Sequence, residues 1–339
     1  GGADRIRVRD DGHGIPPEQV ADAFERHATS KLRSEHDLYA VRTLGFRGEA
    51  LAAIAAAADV DLISRPAAQT AGATLRLRNG RTERQGSAAA APGTSVEGRD
   101  LFASLPARRR FLRATRSETQ AVARVVADYA LAYPEVAFRL TADGRSALAS
   151  PGSGDPRDAV AAVHGAEVAA ALLPAHAEHT APVEGETEIA RCEVAGLVGP
   201  PSLHRASRAA IHVVANGRAV AARALLPAVE LGYEGLLPGG RHPVALIRIT
   251  VPPDQVDVNV HPQKAEVRFR HERLVFATVQ AAVRAALAAA PHLAPDAPDL
   301  AAFTPSRPDA PDAATRAWPG FDLTTDTLAV PRFEAPTGR

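Results

Sequence analysis

The sequence contains no methionine, a single cysteine and very little lysine. One cysteine, Cys192, can form neither an internal disulfide nor a multi-cysteine metal site, which fits a reducing compartment. Lys31 and Lys264 are the two lysines among 39 basic residues, so arginine carries almost all of the positive charge. Because an ammonium and a guanidinium group bind ligands differently, both lysines are candidates for a specific function.

Long apolar runs and an excess of charge are also missing. No stretch reaches the roughly 18 apolar residues that a membrane span needs, so we expect no membrane partner. The 39 basic and 39 acidic residues cancel. A globally basic nucleic-acid-binding protein is thereby excluded, but a local basic patch is not.

The pattern along the 339 residues predicts two mixed α/β domains. Ser150-Pro151-Gly152-Ser153-Gly154 is the best boundary, so the domains are predicted at 1–152 and 153–289. Residues 290–339 are rich in proline, alanine and aspartate and are predicted to form a disordered linker. The elements relevant below are predicted strands at 59–65, 73–79 and from Gly93, and predicted helices at 16–27, 48–58, 157–172 and 271–288.

The first candidate site is Asp10-Asp11-Gly12-His13-Gly14-Ile15, which directly follows an alternating strand at 4–9. Two closely spaced glycines let the backbone approach a flat ligand, and a carboxylate at the strand end can accept hydrogen bonds from an amine. On this hexapeptide alone, an ordinary turn between a strand and a helix is at least as good an interpretation.

The second candidate is Thr43-Leu44-Gly45-Phe46-Arg47-Gly48-Glu49-Ala50-Leu51, where glycines flank the start of a predicted helix. Free N–H groups at a helix N-terminus favour phosphate binding. A helix entry without any ligand is the alternative. Lys31, which follows Thr29 and Ser30 upstream, favours the phosphate interpretation.

The third candidate is the segment from Val256 to Phe269, in which a His-Pro turn between strand-like residues presents Lys264. A surface lysine normally has no specific function. In a chain with so little lysine, we expect Lys264 to have one.

Together these motifs resemble the amino-terminal region of the MutL family of DNA mismatch repair proteins, within the GHKL ATPase superfamily. The first motif resembles the D-x-G-x-G signature of the whole superfamily. Four others resemble motifs specific to the MutL family: His27 to Lys31, Gly45 to Leu51, Pro106-Ala107-Arg108-Arg109-Arg110-Phe111-Leu112, and Asn259 to Lys264 with Glu266 to Phe269. The resemblance covers roughly residues 4 to 285 and implies a GHKL ATPase domain followed by a ribosomal protein S5 domain 2-like domain, both of α+β two-layer sandwich type.

The resemblance implies roles for individual residues. Asp10 would accept the adenine amine of ATP, Gly12 and Gly14 would contact the base closely, Ile15 would form part of its apolar wall, and Thr94 would act near the adenine through water. The phosphate-binding lid would contain Thr29, Ser30, Lys31, Gly45, Phe46, Arg47, Gly48 and Glu49. Lys264 would reach the γ-phosphate and so distinguish ATP from ADP.

One departure concerns catalysis. In the family, a motif upstream of the Asp10 position supplies a general-base glutamate and a Mg²⁺-binding asparagine from the first helix. This sequence begins after that position. We therefore expect the longer parent protein to hydrolyse ATP with Mg²⁺, and this chain to be a poor ATPase by itself, since loss of a general base alone costs on the order of 100- to 10,000-fold in rate.

Partners and alternatives follow from the same resemblance. The family implies non-sequence-specific DNA binding by the second domain, with Arg205, Arg208, Arg218 and Arg223 as candidates, although a solvated surface arginine is the simpler interpretation of each. It also implies a MutS-type mismatch-recognition partner, an ATP-dependent dimer with a second subunit, and a bacterial cytoplasmic location, at the nucleoid during repair. Two alternatives are a topoisomerase-type ATPase and a non-hydrolysing nucleotide- or DNA-binding module.

The twelve histidines raise the question of a metal site. No pair has the i, i+4 spacing with a glutamate that a zinc hydrolase helix requires. No Ser-His-Asp arrangement can be argued from the order of residues either. We therefore predict neither a protein metal site nor nucleophilic catalysis.

Overall fold

The computed structural model describes residues 2–25, 49–182, 189–220, 223–257 and 267–290. The chain divides into two compact units: unit 1 comprises Gly1–Tyr129 and Phe138–Ala149, and unit 2 comprises Ala130–Ala137 and Ser150–Arg339. The second division at Ser150 lies close to the boundary predicted at 152. The predicted linker at 290–339 lies outside the described residues except for its first position.

Unit 1 is built on a five-stranded antiparallel sheet. Its elements are β1 (Arg5–Arg9), α1 (Ala50–Ala57), β2 (Asp59–Arg65), β3 (Gly72–Arg78), β4 (Arg81–Ala88) and β5 (Gly93–Arg99). The strand order is β1-β5-β2-β3-β4, so β5 lies between β1 and β2. This order places the end of β1 beside the start of β5.

One face of this sheet forms the core of unit 1. Alternate residues of β2 are buried, including Val60 and Leu62, because a strand directs successive side chains to opposite faces. They pack with Leu75 on β3, with Ala55 on α1, and with Val20, which lies between two short 3-10 helices. The other face carries mostly charged residues, so unit 1 is a two-layer arrangement.

The rest of unit 1 consists of two helices and a hairpin. These are α2 (Pro106–Arg109), α3 (Thr115–Ala132), β6 (Arg139–Ala142) and β7 (Arg145–Ala149). The last turn of α3, from Ala130, belongs to unit 2. The hairpin turns at Asp143 and Gly144, both with positive φ.

Unit 2 contains a second five-stranded sheet in the order β12-β11-β14-β9-β8. Its elements are α4 (Pro156–His164), α5 (Ala166–Ala171), β8 (Leu173–Pro182), β9 (Ile189–Val198), β10 (His204–Arg205), β11 (Ile211–Ala215), β12 (Arg218–Val220), α6 (Leu226–Gly232), β13 (His242–Pro243), β14 (Ala245–Thr250), β15 (Val256–Asp257), β16 (Arg268–Phe269) and α7 (Glu272–Ala288). β11 and β14 are parallel, and the other neighbours in this sheet are antiparallel.

Both faces of this sheet are covered by helices. One core cluster joins the sheet to α6 and α7 through residues such as Ile247, Val229 and Val279. A second cluster joins the sheet to α4, α5 and the end of α3. β11 is therefore buried at every position and lacks the alternation of a half-buried strand.

Several predicted elements agree with the structure, and others do not. The strands at 59–65 and from Gly93 and the helices near 48–58 and 271–288 are confirmed. The predicted helix at 16–27 is wrong, because its described part forms two 3-10 helices, Pro17–Gln19 and Asp22–Phe24. The predicted helix at 157–172 is interrupted by Gly165, whose φ of 96° ends α4 before α5 begins. The mixed α/β class is confirmed.

Among the described residues, no helix is both long enough and apolar enough to cross a membrane.

Candidate functional site

The Asp10 carboxylate lies at the junction of β1 and β5 in unit 1. The Asp10 N–H donates to the Thr94 carbonyl across the two strands, at 2.9 Å. In return, the Thr94 N–H donates to Asp10 Oδ1 at 3.2 Å, and the Gly12 N–H donates to the same oxygen at 3.0 Å. Two backbone amides thus hold one carboxylate oxygen in place, and no described residue contributes a further hydrogen bond to Oδ2.

Ser64, at the end of β2, connects the segments around Asp10. Its hydroxyl accepts a hydrogen bond from the Ile15 N–H at 2.7 Å and donates to the Gly93 carbonyl at 3.2 Å. It is also 2.8 Å from the Thr94 hydroxyl, and either oxygen could be the donor. Ser64 is completely buried. Its position therefore couples the loop after β1 to the start of β5.

The sequence analysis missed Ser64, although the sequence contained a signal for it. In β2, Val60 and Leu62 occupy core-facing positions, and Ser64 continues the same alternation. A hydroxyl at a position that should be apolar requires hydrogen-bond partners. Ser64 lies far from the glycine-containing segments in sequence, so no local motif includes it.

Gly14 and Gly93 lie so close to neighbouring backbone that only glycine fits at either position. Gly14 has a φ of 72°, and a Cβ there would overlap the backbone of Arg65 and Pro66. Gly93 has a φ of 109°, and a Cβ there would overlap the backbone carbonyl of Asp10. Both positions therefore combine a backbone conformation that side chains disfavour with a lack of space.

We call Asp10, Gly12, Gly14, Ser64 and Thr94 the cradle. Ile15, beside it, is half-buried and packs against the core of unit 1. The cradle combines a positioned carboxylate, a hydroxyl pair and backbone without Cβ atoms. Such a group can bind a flat heterocycle that carries an amine, because the carboxylate accepts from the amine and the glycines permit close contact.

The other predicted nucleotide-binding residues are only partly described. Glu49 lies at the N-terminal cap position of α1, and its carbonyl accepts from the Ala53 N–H at 2.9 Å. The remaining predicted positions lie outside the described residues: Thr29, Ser30, Lys31, Gly45, Phe46, Arg47, Gly48 and Lys264. The structure therefore brings together Asp10, Gly12, Gly14, Ile15 and Thr94 from the predicted set.

A metal site was not predicted, and the described part of the chain contains no group of three or more His, Cys, Asp or Glu residues that could hold one.

The four arginines predicted to contact DNA in unit 2 differ in environment. Arg208 is exposed, and its guanidinium donates to both carboxylate oxygens of Glu230, at 2.7 and 2.8 Å, which raises the pKa of Arg208. Arg205 is half-buried and donates to the His204 carbonyl at 3.1 Å. Arg223 is exposed.

Arg218 is the exception among these four, since it is only 5% exposed. It begins β12, directly after a tight turn in which Asn216 and Gly217 both have positive φ. Asn-Gly is a dipeptide that favours such tight turns. The guanidinium of Arg218 is therefore held inside unit 2, and in this structure it does not form part of an exposed basic surface.

Two histidines of unit 2 lie close together, one of them half-buried and the other buried. His164, at the end of α4, is 2.9 Å from His212 on β11, measured between the two Nε2 atoms. Burial, followed by the proximity of His212 and then Arg205, lowers the pKa of His164 to about 3. His164 is therefore neutral at physiological pH, and the two rings can share one hydrogen bond.

Known proteins resemble this chain both within unit 2 and over most of its length. A family model described as the C-terminal domain of DNA mismatch repair proteins matches residues 160–288, all in unit 2. The chain is 45% identical over 287 residues to the DNA mismatch repair protein MutL of Desulforudis audaxviator, covering 85% of this chain and 49% of that protein. It is also 45% identical to MutL of Symbiobacterium thermophilum over 290 residues, covering 86% of this chain and 44% of that protein.

Solved structures show the same fold. The N-terminal domain of a DNA repair protein aligns with a TM-score of 0.71 at 23% identity, covering 85% of this chain and 86% of that one. The Aquifex aeolicus MutL ATPase domain complexed with ADP aligns with a TM-score of 0.55 at 22% identity, covering 81% and 85%.

The sequence relatives and the fold agree with the motifs from which the resemblance was inferred. The chain spans about half the length of the curated relatives that it matches. On this evidence, the chain belongs to the MutL family of DNA mismatch repair proteins.

Proposed function

We propose that the cradle in unit 1 binds the adenine base of ATP. The observation that carries this proposal is the arrangement around Asp10. Oδ1 accepts hydrogen bonds from two backbone amides, which fixes the plane of the carboxylate and leaves Oδ2 as the acceptor for the exocyclic amine of adenine. The hydroxyl of Thr94, held by Ser64, lies on the neighbouring strand and can donate or accept toward the same base.

This arrangement favours adenine over guanine. Adenine presents an amine at C6, which donates to a carboxylate, whereas guanine presents a carbonyl oxygen, which a carboxylate repels. A hydrogen bond to a charged group contributes about 1.5–3 kcal/mol. We therefore expect the carboxylate of Asp10 to account for most of the discrimination between the two bases.

The phosphates are proposed to bind outside the described residues. The glycine-containing segment at 45–48, with Thr29, Ser30, Lys31 and Glu49, is our candidate for the phosphate-binding lid, and Lys264 for the contact to the γ-phosphate. The Aquifex aeolicus relative whose fold this chain shares was solved with ADP, which supports a nucleotide as the ligand. Mg²⁺ would neutralise the phosphates and polarise the bond that hydrolysis breaks.

We further propose that the whole protein uses this site in mismatch repair. ATP binding would drive dimerisation of the amino-terminal regions on DNA, and hydrolysis would reset the complex after mismatch recognition by a MutS-type partner. The curated relatives named above are DNA mismatch repair proteins, which supports this role. Contacts to DNA phosphates are assigned to Arg205, Arg208 and Arg223, with Arg218 as an internal support. A cytoplasmic location remains a prediction.

Substituting Asp10→Asn tests the nucleotide proposal. If the amide oxygen takes the place of Oδ1 between the Gly12 and Thr94 amides, the amide NH₂ occupies the position of Oδ2 and faces the adenine amine, so two donors oppose each other. We expect ATP affinity to fall about 10- to 150-fold, the equivalent of one hydrogen bond to a charged group. GTP should be affected little or bind better, because its carbonyl can accept from the new NH₂.

The matched control is Asp11→Asn, which removes the same charge from the adjacent, exposed residue. Calorimetric titration of wild type and both variants with ATP and GTP measures the affinities. Two results would show that the carboxylate of Asp10 does not distinguish adenine from guanine. The wild-type chain could bind ATP and GTP equally, or Asp11→Asn could lose as much ATP affinity as Asp10→Asn.

A further inference from the structure

The segment 106–116 of unit 1 is a strongly basic surface feature, which we call the arginine loop. It begins with the single turn of α2 and ends in the first turn of α3. It contains five arginines and no acidic residue. Every residue of the loop except Leu112 is exposed. The loop therefore presents concentrated positive charge to solvent.

Most of this charge is not neutralised by the residues that the structure describes. Arg113 pairs with Glu118, with 3.2 Å between Nε and Oε1. The other four, Arg108, Arg109, Arg110 and Arg116, form no ion pair with any described residue. Like charges at such close spacing repel one another, and a bound polyanion relieves that repulsion. The charge pattern therefore fits a phosphate backbone as the partner.

Phe111 gives the loop a second property. Its side chain is 86% exposed, the highest value among the large hydrophobic residues of the described chain. It belongs to none of the core clusters that the described residues form, so its ring is available to contact another molecule. A basic surface that binds only phosphates needs no aromatic ring, whereas an exposed ring beside arginines is typical of surfaces on which unpaired bases stack.

We propose that the arginine loop binds single-stranded DNA, with phosphates at the four unpaired arginines and one base stacked on Phe111. In a duplex, the bases already stack on one another, so the faces that Phe111 could contact are covered. This surface lies in unit 1, whereas the arginines assigned to DNA above lie in unit 2. The inference adds a second surface to the proposed action on DNA, one that contacts a base as well as phosphates.

The test compares oligo(dT) with a duplex of equal length by fluorescence anisotropy, at one fixed salt concentration. Stacking on an aromatic residue contributes about 1–3 kcal/mol per base, which corresponds to about 5- to 150-fold in affinity. We expect Phe111→Ala to weaken oligo(dT) binding by a factor in this range and to change duplex binding little. Phe111→Tyr should retain wild-type affinity because it keeps the ring.

The charge contribution has its own variant and controls. Arg109→Ala should weaken oligo(dT) binding and make its salt dependence less steep, because one phosphate contact is lost. The matched controls in unit 2 are the exposed residues Leu236 and Arg241, substituted singly by alanine. Thermal unfolding of each variant should match wild type, since none of these side chains is buried.

Three outcomes would overturn the proposal. Phe111→Ala could leave oligo(dT) affinity unchanged. It could weaken oligo(dT) and duplex equally, which would indicate contact with phosphates alone. Poly-glutamate could compete with oligo(dT) at the same concentration of negative charge, and Phe111→Ala could weaken the binding of both polymers equally. That result would indicate that the loop binds an acidic protein segment.

The nucleotide proposal can fail separately from this one. ATP titration of the Phe111→Ala variant should give the wild-type affinity, because Phe111 lies outside the cradle. If ATP does not bind but oligo(dT) binding depends on Phe111, the cradle assignment is wrong and the arginine loop assignment stands.

Discussion

Replacing Ser64 with alanine should destabilise unit 1 and weaken nucleotide binding at the same time. The substitution removes a hydroxyl that accepts from the Ile15 N–H at 2.7 Å and contacts Gly93 and Thr94. Because Ser64 is completely buried, water cannot replace the lost partner without a rearrangement. An unsatisfied buried donor costs about 1–3 kcal/mol. We therefore expect the free energy of unfolding to fall by about 2 kcal/mol.

Urea unfolding, followed by circular dichroism, measures this change. The midpoint should fall with no change in the slope, since a lost hydrogen bond does not alter the surface exposed on unfolding. Ser95→Ala is the matched control, because Ser95 is only half-buried on the neighbouring strand β5 and has no side-chain hydrogen bond to any described residue. Equal unfolding free energies for both variants would refute the role assigned to Ser64.

Two further predictions concern backbone space and pH. Gly14→Ala should lower the free energy of unfolding, measured by urea titration, by more than about 1 kcal/mol. Backbone strain alone costs about that much, and the new Cβ would also overlap the backbone of Arg65. Lowering the pH from 7.5 to 5 should destabilise unit 2 by about 2 kcal/mol, because the unfolded chain takes up a proton at His164 below about pH 6.5. The folded chain does not, since burial, His212 and Arg205 lower the pKa of His164 to about 3.

Each of these two predictions has a control. Gly86→Ala should be nearly neutral, because no atom lies within 4 Å of a Cβ there and its φ is not in the left-handed region. His164→Gln should make the free energy of unfolding less dependent on pH between 7.5 and 5. A pH dependence that is identical in wild type and His164→Gln would contradict the assignment.

The elements that the sequence predicted are those with a strong local signal. β2 alternates apolar and polar residues, and α7 has a long apolar face, so both were located correctly. β4 was missed because Arg81–Ala88 contains almost no apolar residue. It lies at the edge of the sheet, where both faces are solvated and hydrogen bonds to β3 are what define the strand.

The cradle contains both residues that a local sequence pattern identifies and a residue that no local pattern identifies. Asp10, Gly12 and Gly14 were identified because a strand followed by closely spaced glycines is a local pattern. Ser64 is joined to them by contacts between positions 49 residues apart in sequence. Such contacts depend on strand order, which places β5 between β1 and β2 and is not encoded in any one segment.

Arg218 shows that residue type alone does not identify a DNA contact. It was interpreted either as a DNA contact or as a solvated surface arginine, yet the strand pairing of β12 with β11 places it inside unit 2. By contrast, the exposed arginines beside Phe111 lie in a motif to which the sequence assigned no ligand.

A crystal structure of the chain with ADP would show directly whether Asp10 binds adenine. We expect the exocyclic amine of adenine within about 2.7–3.2 Å of Asp10 Oδ2, with the base against Gly12 and Gly14 and near Thr94. Oδ1 should keep its hydrogen bonds to the Gly12 and Thr94 amides. ADP bound elsewhere, or bound with its base out of reach of Asp10, would show that the cradle is not the adenine site.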